Sequence, residues 1–175
     1  MMISAVRATL VTLLLSCSAF ADAGPEDLDF YVGRWQCKAT VFKDGAPGAH
    51  LDATGEMKRV LESHWISVHM DFMKSDTGKK DSESFEMRGY DPARKRWVHA
   101  YFANESGSFG LEESKGFIGN QMVWTPIALP GDPPDAGKER AVIVKVSPTR
   151  YSFFTETMGA SGWQKTFEKT CTKSP

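Results

Sequence analysis

Apolar and polar positions alternate with period two along most of this chain, the signature of strands with one face turned to a core. The alternation is clearest at 65–72, where Ile66, Val68, Met70 and Phe72 share one face and Trp65, Ser67, His69 and Asp71 the other. The same reading gives strands at 34–42, about 51–61, 84–90, 95–102, around Phe109 and Leu111, 121–125, 140–147, 151–158 and 163–171, ten in all. Gly, Pro, Asn and Ser clusters punctuate them, as at 43–48, 74–80, 104–107, 147–149 and 159–162. Pro25 followed by Glu26 and Asp27 predicts a short helical segment that Gly33 ends, since Pro suits a first turn and acidic groups suit its dipole.

The stretch 84–102 predicts the central hairpin, turning at Asp91-Pro92-Ala93-Arg94, where Asp then Pro favours a type I turn. Pairing Tyr90 with Lys95 puts Phe85, Met87 and Gly89 on one side with Val98, Ala100 and Phe102. The opposite side then collects Glu86 near His99 and Arg88 near Trp97.

Ten short strands with tight turns and no crossover helix predict an all-β, antiparallel up-and-down β-barrel. Cys37 and Cys171 sit in the first and last strands. A disulfide between them needs Cα atoms within about 7 Å, so those strands must be neighbours and the sheet must close on itself. A barrel of this strand number can keep an interior that its own side chains do not fill.

Size and charge narrow the picture. Arg7, the apolar run 8–15 and the small residues of Ala19-Phe20-Ala21 read as a secretory signal peptide (1–21) cleaved before Asp22. A lipidated Cys17 is the weaker alternative. The remaining 22–175 suit a single domain, exported to the periplasm or beyond, without a permanent membrane span. That part holds 20 basic and 22 acidic side chains, a net charge of −2, which leaves no footprint for nucleic acid.

Two short motifs resemble known barrels. Gly33-Arg34-Trp35 at the entry to the first strand resembles the Gly-x-Trp signature of the lipocalins and calycins. Arg88-Gly89-Tyr90-Asp91, followed by the strand bearing Trp97, is similar to the hairpin of the bacterial calycin-like barrels of domain-of-unknown-function family 1579. The resemblance, which spans about 29–169, implies a ten-stranded barrel with a small-ligand cavity and no known activity. It also invites comparison with haem-binding nitrobindin-like barrels. Those carry a longer Gly-Trp-Gly start and an axial His near the C-terminus, whereas this chain has no His beyond His99, so no cofactor is implied.

The chemistry on offer is sparse. No nucleophile elbow, phosphate loop or zinc motif is present, and Ser161 in Gly-Ala-Ser-Gly reads as a turn. His64 and His69 fall on opposite faces of one strand and cannot chelate a metal together, and His69 joins Asp71 on the solvent side. Glu86 and His99 form either an acid/base pair or an ordinary cross-strand contact. Asn104-Glu105-Ser106 is a glycosylation sequon only in a eukaryotic secretory route.

The aromatic and Met side chains point most directly to binding. Met70, Phe72, Phe85, Met87, Phe102 and Trp124, with Phe153 or Phe154, are the candidate lining for a small apolar ligand, though a packed core would use the same residues. Trp163, Lys165, Phe167, Lys169 and Cys171 share a face of the last strand. If that face points inward, Lys165 packs over an aromatic ring or anchors an anionic head group. The Pro- and Gly-rich loop 126–139 is long enough to cover a site. Binding of a small, largely apolar molecule in the interior is therefore the leading reading. Its alternatives are an enzyme using Glu86 and His99, or a carboxylate such as Glu156, and an envelope protein that meets a partner through exposed Trp65 and Trp97.

Overall fold

The computed structural model describes residues 24–104, 108–131 and 138–175, so the leader, Cys17 and the end of the sequon at Asn104 lie outside the described residues. Eleven antiparallel strands form one sheet: β1 (Gly33–Lys43), β2 (Ala46–Val60), β3 (Trp65–Lys74), β4 (Lys80–Asp91), β5 (Arg96–Ala103), β6 (Ser108–Ser114), β7 (Phe117–Ile118), β8 (Gln121–Pro126), β9 (Glu139–Ser147), β10 (Arg150–Gly159) and β11 (Gly162–Lys173). Consecutive strands pair from β1 to β6 and from β8 to β11, β1 pairs with β11, and Glu112 and Glu113 of β6 pair with Pro126 and Thr125 of β8. The ring is thus a closed antiparallel barrel of ten long strands, with the two-residue β7 as a spur on β8. Closure leaves no long unpaired edge to recruit other chains.

The predicted stitch is present. Cys37 and Cys171 are register partners across the β1–β11 seam and form a disulfide with Cα atoms 4.1 Å apart. At a sequence separation of 134, such a link restricts the unfolded chain by roughly 5 kcal/mol on the loop-entropy model.

Two local expectations change. The first hairpin turns on Asp44-Gly45, both with positive φ, so β2 starts at Ala46 rather than near Leu51. An Asp-Gly pair satisfies the left-handed geometry of a two-residue hairpin at least cost. The predicted N-terminal helical segment is not an α-helix: turns from Gly24 lead into a single 3-10 turn at Asp29–Tyr31.

That segment closes one end of the barrel. Leu28 and Tyr31 are fully buried, the Trp35 indole donates to the Tyr31 carbonyl at 2.8 Å, and Lys173 donates to the Phe30 carbonyl at 3.2 Å. Arg59 adds a bond to the Pro25 carbonyl and a pair with Asp29. Above this plug Trp35, Tyr151 and Tyr31 stack with ring centroids 4.7–6.3 Å apart.

The hairpin β4–β5 forms as predicted in its faces but not in its partners or its orientation. Asp91 accepts from the amides of Ala93 and Arg94, and Asp91 pairs with Arg96, so Tyr90 faces Trp97 instead of Lys95. The two-residue slip preserves the faces. What reverses is which face looks in. Phe85 and Phe102 are 44% and 46% exposed on the outside, while Glu86, Arg88, Trp97 and His99 are buried inside. The turn into β4 fixes this, because Ile66, Val68 and Phe72 of β3 lie opposite Arg88, Glu86 and Ser82.

Candidate functional site

Inward side chains divide the lumen into a plug, a charged floor and an apolar mouth. The floor is built on β4, β5, β6 and β11. Arg88 donates to Glu86 at 2.5 Å, His99 Nε2 lies 3.1 Å from the same carboxylate oxygen, and His99 Nδ1 lies 2.8 Å from Glu112. Each of these groups is at least nine-tenths buried. Arg88 also sits against the rings of Tyr31 and Trp124, at 4.9 and 5.6 Å. Its Nε and Nη1 and the Trp124 indole nitrogen have no hydrogen-bond partner among the described residues.

The electrostatics follow from this packing. Burial by itself would raise the Glu86 carboxyl, but the Arg88 guanidinium and the His99 bond outweigh it and hold the group well below the carboxylate range. Burial likewise opposes the charge on Arg88, yet Tyr31 and Glu86 keep it firmly protonated. Both tyrosine hydroxyls are pushed up, chiefly by burial.

Lys169 completes the floor. It is 3% exposed, with its ammonium 4.9 Å from the Phe153 ring and 5.6 Å from the Phe72 ring. Burial lowers its pKa to about 8, although Glu86 pulls the other way. Beyond it, toward the mouth, Phe167 packs edge-on to both Phe72 and Phe153 at 6.0 and 6.3 Å. Phe153 and Phe167 keep part of their surface open. Tyr101 lies against Gly110, where any Cβ would meet its ring at 2.2 Å, and packs 5.7 Å from His99.

The sequence-derived candidates scatter accordingly. Met70, Phe72 and Trp124 point inward and are buried. Phe85 and Phe102 line the outer wall, where Phe109 joins them 5.2 Å from Phe102, and Met87 shares their face. Lys165 does pack over aromatic rings, Phe42 and Phe154, but pairs with Glu168 at 2.6 Å rather than entering the floor. A one-residue shift between β10 and β11 beside it changes the strand phase, so the lysine that reaches the lumen is Lys169. Of the aromatic pair, Phe153 packs into the lumen and Phe154 lies beside Lys165.

Other candidates also move. Glu156 is bound by Arg140 at 2.7 Å, Trp97 is fully buried, and Trp65 covers Gly89 on the outside. Glu112, Arg88 and Lys169 were missed as site residues, because nothing local marks a charged row as inward. The apolar row of β3, carried across the β3–β4 register, was the available signal.

Two outer features are satisfied by the protein itself. His69, Asp71 and Glu83 offer a carboxylate and imidazole cluster, but Lys80 already bonds Asp71 and Glu83 at 2.9 and 2.7 Å. The groove of about 410 Å³ beside β6 and β8 contains the matched pair of Arg96 and Glu113.

No protein-family profile and no curated sequence matches the chain. Solved structures do, and the likeness is one of fold alone, consistent with a calycin-like barrel. Rv2717c from M. tuberculosis superposes with a TM-score of 0.65 at 9% identity, over 89% of this chain and all of the other. The S-type phycobiliprotein lyase CPES from Guillardia theta superposes with a TM-score of 0.44 at 11% identity, over 86% and 92%. Among the described residues no helix is long and apolar enough to cross a membrane.

Proposed function

We propose that this protein is an exported barrel that binds a small, largely apolar molecule between the mouth and the charged floor. Kinship with family 1579 rests on Gly33-Arg34-Trp35 and Arg88-Gly89-Tyr90-Asp91 alone. The observation that carries the reading is the asymmetry of the lumen. One end is sealed by the plug, while at the other Phe72, Phe153 and Phe167 surround an inward lysine with part of the ring surface open. Aromatic walls with a few convergent polar groups are the usual composition of a small-molecule site. The disulfide suits an oxidising compartment and therefore export.

Native mass spectrometry of protein purified from its own host tests the reading. A co-purifying species, lost when Phe153 is replaced by Asp, is the expected result. Repeated isolation of the bare mass, with no uptake of any added apolar probe, would overturn it.

The Glu112–His99–Glu86 array favours one other reading, a general acid/base site. An enzyme would need those groups to meet the substrate, so the same bound species would appear chemically altered.

A further inference from the structure

The floor leaves one buried cation, Lys169, without a hydrogen-bonded carboxylate among the described residues. Glu86 is held ionised by Arg88, and His99 turns both ring nitrogens toward carboxylate oxygens, at 3.1 and 2.8 Å. Arg88 and His99 each hydrogen-bond a carboxylate. Among the described residues Lys169 does not: its ammonium has only the rings of Phe72 and Phe153 at contact distance.

Lys169 lies against Phe153, whose ring keeps part of its surface open. Nε and Nη1 of Arg88, which packs against the plug residue Tyr31, show no accessible surface. A buried cation without a hydrogen-bonded counter-charge is costly to retain, and a ligand that brings one reduces that cost.

We infer that the ligand of this barrel is a monocarboxylic acid with an apolar body, its carboxylate seated on the Lys169 ammonium and its body against Phe72, Phe153 and Phe167. The inference rests on the proposed lumen binding and adds to it the head group that sets specificity. The ammonium donates to the carboxylate, and no covalent step is involved.

The test compares dodecanoate, dodecanol and dodecylammonium on the intact disulfide-bonded protein, by calorimetry and by the fluorescence of Trp124 and its neighbours. Dodecanoate should bind about 10- to 100-fold more tightly than dodecanol, the range of one charge-assisted hydrogen bond, and dodecylammonium should not bind. In Lys169→Met the advantage of the acid over the alcohol should vanish while dodecanol binding persists. Should Lys169→Met fail to fold, the wild-type lysine amine can be titrated by NMR, and its pKa must rise when dodecanoate is added. Equal binding of acid and alcohol, or an amine that does not respond to the acid, would overturn the head-group inference but leave lumen binding standing. Binding of none of the three probes would remove both.

Discussion

Two walls of the same barrel are built on opposite rules. Along β1 to β3, apolar residues such as Ala39, Ala53, Met57, Ile66 and Val68 face in and polar ones face out. Along β4 to β6 the pattern inverts. Glu86, Arg88, His99, Glu112 and Ser114 are buried, while Phe85, Phe102 and Phe109 show about half their surface. The difference teaches that period-two alternation defines two faces of a strand without saying which is interior; the decision belongs to the neighbouring strand through its register. An inverted wall is tolerable because its charges are paired, and burying them costs stability that a hydrocarbon wall would not.

The inversion can be broken most severely at its ion pair. Arg88→Met leaves Glu86 buried without its principal partner, and should cost about 3–5 kcal/mol in urea unfolding. A loss below about 1 kcal/mol would mean that water reaches the carboxylate and that the wall is less dry than its burial implies.

Lys169 sharpens the comparison in the opposite direction. Its folded pKa is depressed from 10.5 to about 8, so between those values the unfolded chain binds more protons than the folded one. Stability from this group therefore rises as pH climbs from about 8 to 10.5, by up to about 3 kcal/mol, and below pH 8 the charged lysine is a net cost. Lys169→Met should make the protein more stable at pH 7 and flatten that alkaline rise. Paired unfolding curves at pH 7 and 10 check both. Retention of a lysine that weakens the fold is what a binding role would require.

The smallest effect belongs to the outer row. Phe102→Ser, at a position 46% exposed, should change stability by about 1 kcal/mol or less. The same substitution at Phe153 should cost several-fold more in the same denaturation series. Equal costs at both sites would contradict the assignment of inside and outside.

These walls also mark where the sequence was legible. The strand count, the closing of β1 on β11 and the Cys37–Cys171 link follow from alternation, turn residues and two cysteines, all of them local or geometrically forced. Met70, Phe72 and Trp124 were legible as interior because their rows are uniformly apolar or aromatic. Phe85 and Phe102 misled because hydrophobicity alone suggested the core, whereas Glu86, Arg88 and His99 satisfy one another only when assembled across two hairpins. Alternation alone does not separate Lys165 from Lys169, because the shift that changes the phase of β11 is created by its pairing with β10, which no single-strand reading contains.

The β1–β11 seam carries one more consequence, for how the protein is made. A ribbon grown outward from β1 through successive hairpins can zip each new strand onto the last, but it exposes both borders until the last strand, β11, arrives. Maturation is thus a race between ring closure and misassociation. Oxidation of the two sulfurs ends that race by making the finished hoop slow to reopen.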